Sequence, residues 1–156
     1  EGANGIQALD LVGRKLPRDG GRAVMSFFGE VAAFAKDHGA DETMKPFVTP
    51  LSTALGHLQQ ATTWLMQNAM MKPDNAGAAA TDYMQLFGLV TLAYMWARMA
   101  KVAQDKIAGS GATPYLTTKL VTGRFFMERM LPETALHLAR IQTGSATTME
   151  LAAEAF

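Results

Sequence analysis

Residues Asp82–Arg98, DYMQLFGLVTLAYMWAR, decide how the rest of this chain is read. Between the two charged ends run fifteen uncharged residues, Tyr83–Ala97. Leu86, Phe87, Leu89, Val90, Leu92 and Tyr94-Met95-Trp96 occupy all sides of a helical wheel and show no alternation of period two. A bilayer span needs about 20 apolar residues, so the run predicts a buried helix in a bundle and no membrane span. A helix with so little polar face should be the most enclosed member of its bundle, or should dock on a partner. It extends from about Asn75 or Thr81 to Ala108, where Gly109-Ser110-Gly111 breaks it.

The same helical spacing recurs on both sides. Val24, Phe27, Phe28, Val31, Phe34 and Ala35 predict a helix over Arg22–His38, with Gly39 at the left-handed position just past its end. Leu51, Leu55, Leu58, Thr62, Leu65 and Ala69 predict a second helix ending near Met71. Gln59, Gln60, Thr63 and Gln67 lie on its other face. Its start is open between Lys45-Pro46 and the pair Thr49-Pro50. A last long helix runs from Thr113-Pro114 to about Thr143, with Leu120, Val121, Phe125, Met130, Leu136, Leu138 and Ile141 as its stripe. Pro132 should kink it. Before all of these, Ile6, Leu9, Val12 and Leu16 predict a short amphipathic helix over Asn4–Leu16, stopped by Pro17 and Asp19-Gly20-Gly21. Thr147-x-x-Glu150 marks a capping box for a final helical turn. The fold expected is all-α: an up-down four-helix bundle behind a short N-terminal helical segment. The domain division expected is residues 1–21 and 22–156.

Composition removes several functions. Lys+Arg and Asp+Glu are 14 each, so the formal charge is zero and no nucleic-acid partner is indicated. Cysteine is absent, which excludes disulfides, thiolate metal sites and thiol nucleophiles. His38, His57 and His137 are isolated and assemble no metal-ligand pattern. No signal peptide pattern stands at the start, and the localisation expected is cytoplasmic. The eleven methionines read first as core packing. No phosphate-binding glycine loop, serine elbow or zinc-helix motif is present. Asp41-Glu42 read as helix-start carboxylates, Arg124 and Glu128 as an i, i+4 pair, and Arg98 and Lys101 as cations at the bundle edge.

Glu1-Gly2-Ala3-Asn4-Gly5-Ile6-Gln7, followed by Leu9-Asp10-Leu11-Val12-Gly13-Arg14-Lys15, resembles the segment that closes the catalytic domain of flavin-dependent acyl-CoA dehydrogenases. Glu1-Gly2 match that family's Glu-Gly pair, and Asn4, Gly5, Ile6 and Gln7 its continuation. Ala3 stands where threonine is usual, which removes one hydroxyl. Gln59-Gln60-Ala61-Thr62-Thr63-Trp64-Leu65, Tyr94-Met95-Trp96, Phe125-Phe126-Met127-Glu128-Arg129-Met130-Leu131-Pro132 and Met149-Glu150-Leu151 are similar to the extra C-terminal helical domain of a longer bacterial branch. That branch includes the 3-methylmercaptopropionyl-CoA dehydrogenases.

The resemblance implies a piece of a longer oxidoreductase of fatty acid metabolism. Its parent would convert an acyl-CoA to a trans-2-enoyl-CoA with FAD and pass electrons to an electron-transferring flavoprotein. By resemblance, Glu1 is the general base that takes the proton α to the thioester, Gly2 its substrate-contacting neighbour, and Asn4 a residue near the flavin. No stretch is left over to build flavin-holding domains. The expectation is therefore a non-catalytic accessory domain that binds no FAD itself, packs on its own catalytic domain and belongs to a homo-oligomer. The alternative is a stand-alone helical bundle that binds a protein partner or a small apolar ligand.

Overall fold

The computed structural model describes residues 2–155. Among them every regular element is helical, and they form one bundle. The elements are α1 (Ala3–Asp10), α2 (Arg22–His38), α3 (Lys45–Asn68), α4 (Pro73–Ser110), α5 (Pro114–Phe125) and α6 (Glu133–Thr143). Five-residue π-helical turns, Leu11–Lys15 and Phe126–Met130, follow α1 and α5.

Local chemistry sets the ends. Lys72 and Thr113 are extended, and Pro73 and Pro114 open the helices that follow. Proline suits the first helical turn because the N–H it lacks would have no partner there. The Thr113 hydroxyl accepts from the Leu116 N–H at 3.3 Å. α3 starts at Lys45 rather than Pro50, so Pro50 lies inside the helix. Asp41 explains the early start: its carboxylate accepts from the Thr43 N–H at 2.9 Å and from the Thr43 hydroxyl at 2.7 Å. These bonds turn the chain directly into α3 and hold the Asp41 carboxyl below its ordinary pKa. Gly39 is right-handed (φ −67°), not left-handed as expected. The Gly39 N–H bonds Lys36 O and the Asp41 N–H bonds His38 O, which satisfies the helix end through a plain turn.

α4 is the axis of the bundle. It packs against α1, α3, α5 and α6. α2 reaches it through Phe27 stacked on Phe87 (5.2 Å between centroids) and Phe34 set edge-on to Tyr94 (5.5 Å). Six of its ten buried residues are alanines, including Ala93, Ala97 and Ala100. Small side chains let neighbouring helices approach closely, which is how one helix accommodates so many neighbours. By length and composition α4 could cross a membrane, yet Tyr83, Leu86 and Val90 are buried in the core of this chain. Its enclosure is incomplete: Leu92, Met95, Met99 and Val102 remain exposed.

The two π-helical turns change which residues face inward. Ile6 and Leu9, expected on the core side of α1, are 66% and 50% exposed; Ala8 is buried in their place, while Val12 and Leu16 are buried as expected. Val121, Phe125, Met130 and Leu136 are likewise exposed; Phe126, Met127 and Leu131 are buried in their place, while Leu138 and Ile141 are buried as expected. Each wide turn holds one residue more than an α turn, and one residue is about 100° of helical phase. A stripe drawn at uniform α spacing therefore slips by a position. Pro132 completes the break and separates α5 from α6.

α5 crosses α3 and α4 at Gly123. A Cβ there would lie 2.9 Å from Phe47 Cε1 and 3.3 Å from Trp96 Cε3, both on rigid rings. Gly123→Ala should cost roughly 1–3 kcal/mol of stability, as overpacking does, read by urea denaturation. An unchanged midpoint would show that the helices do not meet so closely. At the other end of the bundle, the Asn75 carboxamide accepts from the Ser145 N–H (3.0 Å) and hydroxyl (2.9 Å), tying the chain after α6 to the start of α4. The capping box at Thr147 starts no α-helix. Turns continue to Met149, with a short 3-10 turn at Ala153–Ala155.

Candidate functional site

Glu1, the residue on which the expected chemistry rests, lies outside the described residues. Gly2 is left-handed (φ 69°) and precedes the first turn of α1. A Cβ on it would meet nothing within 4 Å, so both its conformation and its open flank suit glycine. Asn4 follows one residue into the helix and is exposed. Gly2, Ala3, Asn4 and Gly5 line a shallow depression of about 330 Å³. The helix start thus brings Gly2 and Asn4 together at one depression. Among the described residues, no facing element closes the depression and no titratable side chain lines it.

The segment behind this depression is firmly held. Ala8, Val12 and Leu16 anchor it to the bundle core. Arg14 pairs with Asp10 through two bonds (2.5 and 2.9 Å) and holds the Asp10 carboxyl below its ordinary pKa. Its outer face carries the exposed Ile6 and Leu9.

Several other polar groups tie helices together. Thr134 Oγ1 donates to Leu131 O, so the His57 Nδ1 that lies 3.0 Å from it is the donor of that pair. His137 Nδ1 donates to Asp82 at 2.8 Å, joining α6 to α4. Both histidines sit at helix–helix contacts with their partners in place. Lys101 pairs with Asp105 one turn on, and Arg98 lies over the Tyr94 ring (5.5 Å). Arg124 and Glu128 form no ion pair among the described residues, since the wide turn begins between them. No group of three or more potential metal ligands occurs among the described residues. Nor do those residues fit a flavin: the depression at Gly2–Gly5 is open, small and backed by a single short helix.

A second surface feature gave only a partial sequence signal. α4 and α5 enclose an open groove of about 550 Å³, walled by Met95, Met99, Val102 and Tyr115 with Arg98, Lys106 and Lys119 among its lining. The apolar excess of α4 hinted at it, but its α5 wall was not legible in the stripe assigned there.

Residues 27–152 match the family described as acetyl-CoA dehydrogenase C-terminal like. The chain belongs to that family: it is a C-terminal helical domain of the acyl-CoA dehydrogenase kind. It is also 28% identical, over 151 residues and 94% of its length, to 3-methylmercaptopropionyl-CoA dehydrogenase of Ruegeria pomeroyi (strain ATCC 700808 / DSM 15171 / DSS-3). The chain spans about a quarter (25%) of that relative's length.

Proposed function

We propose that this chain serves as an accessory domain that packs on the flavin-bearing part of an acyl-CoA dehydrogenase and has no catalysis of its own. The family match supports the setting, and the one-walled depression at Gly2–Gly5 carries the reading. A site that must hold a thioester and exclude water needs walls on several sides, and this chain contributes one. The exposed Ile6 and Leu9 beside it offer apolar surface for the missing walls to cover.

In the complete enzyme the reaction is α,β-dehydrogenation of an acyl-CoA, with FAD as hydride acceptor and an electron-transferring flavoprotein downstream. Within it Glu1 takes the proton from the carbon α to the thioester. Gly2, with no side chain and an open flank, lets the thioester lie against the backbone. Asn4 stands two residues further along the same wall, toward the flavin. The complete enzyme works in the cytoplasm as a homo-oligomer.

The chain alone, mixed with FAD and an acyl-CoA, should show no bound-flavin absorbance and no reduction of an artificial electron acceptor. Turnover by the isolated chain would overturn the reading. A second check is the coding sequence upstream of Glu1. An in-frame tyrosine codon preceded by a dehydrogenase core supports the accessory role, and a start codon there refutes it.

A further inference from the structure

The groove between α4 and α5 combines apolar side chains with three cations. Along α4, Leu92, Met95, Met99 and Val102 recur at spacings of three, four and three residues, with 37–54% of each exposed. That is the seam spacing of a helix that packs on another helix. It extends about 15 Å. Tyr115, 69% exposed, forms the opposite wall from α5. Arg98, Lys106 and Lys119 line the groove with no carboxylate among them. None of the three makes a salt bridge among the described residues. Lys119 instead lies over the Trp96 and Tyr115 rings, at 5.4 and 5.7 Å.

The geometry points to a docking groove for an amphipathic helix whose apolar stripe is flanked by aspartate or glutamate. The apolar seam takes the stripe, in the helix-in-groove manner, and the methionines adapt to its side chains. The cations take the carboxylates. Two other occupants fit less well. A fatty carboxylate has one anionic end, whereas Arg98 and Lys106 lie about 12 Å apart along the helix. A second copy joined by twofold symmetry sets the same patch against itself and would bring the three cations against three more. The proposal goes beyond the accessory-domain reading and does not depend on it.

The test uses the full chain and two synthetic 21-residue helices with leucine at the seam positions, one flanked by glutamate and one by lysine. Binding is followed by tryptophan fluorescence and by amide chemical shifts. The glutamate helix should bind with shifts centred on residues 92–119. The lysine helix should bind at least about tenfold more weakly, as several exposed charge pairs together would give. Raising the salt should narrow that gap. A Lys106→Glu, Lys119→Glu double variant, with circular dichroism confirming its fold, should reverse the preference. Met25→Glu, on the exposed face of α2, should leave binding unchanged. Equal affinity for the two helices would overturn the proposal. So would shifts centred elsewhere, dodecanoate occupying the groove in place of the glutamate helix, or a concentration-dependent dimer abolished by Met99→Glu. No dehydrogenase assay enters, so failure here leaves the accessory-domain reading standing.

Discussion

Tyr83→Ala is expected to destabilise the chain by about 3–5 kcal/mol, the range for deleting a buried aromatic ring. For a chain of this size that lowers Tm by roughly 10 °C. Tyr83 is fully buried in the first third of α4 and sets its ring edge-on to Phe87. Its hydroxyl donates to Thr62 Oγ1 at 2.8 Å, because the Thr62 proton is committed to Leu58 O. Tyr83→Phe keeps the ring and removes only this bond, so it should cost about 1 kcal/mol. The contrast between the two variants separates packing from hydrogen bonding, and calorimetry reads both.

The same residue predicts an alkaline limit. Burial raises the Tyr83 pKa from 10.0 to about 12. The fold therefore keeps a proton that the unfolded chain loses first. This favours the fold fully below pH 10, and the advantage fades as pH rises from 10 through 12. Tyr83→Phe cannot ionise and should lack that share of the alkaline loss. Identical stability curves for the two proteins between pH 9 and 12 would refute the assignment.

In an enzyme that carries both this chain and a flavin-bearing catalytic portion, Glu1→Gln should lower kcat by about 10²–10⁴, the range for losing a general base. Gln keeps the size and removes the basic oxygen. Acyl-CoA binding should be nearly unchanged, so the loss should appear in kcat rather than in KM. A variant that retains more than a tenth of wild-type kcat would place the base elsewhere.

Much of this molecule was legible in its sequence, and the parts that were not share a physical cause. α2 and α3 follow uniform 3.6-residue spacing, and their stripes, Val24-Phe28-Val31 and Leu51-Leu55-Leu58-Leu65, point inward as read. Thr113-Pro114 opens a helix as read, because an N-cap hydroxyl and an N1 proline act locally. The faces of α1 and α5 were misread because a π-helical turn leaves no periodic trace in the side chains it shifts. The start of α3 was left open because both prolines satisfy the same local rule, and the Asp41–Thr43 turn decides between them. The open depression at Gly2–Gly5 left no periodic signal, and only the resemblance pointed to those residues. A wall with no opposing wall has no internal pattern to read. The α4–α5 groove was legible by half: the excess of apolar residues on α4 signalled an uncovered side, but the three cations that line it come from two helices.

The turns Leu11–Lys15 and Phe126–Met130 carry a consequence for anyone aligning this family. Each is an α-helix with one surplus residue accommodated in place. A relative can lack that residue and still present the same faces on either side. Alignments drawn without a one-residue gap at those two points would pair the inward Ala8 or Leu131 of this chain with an outward neighbour in the other. Site residues transferred through such an alignment would land about 100° around the helix from where they belong.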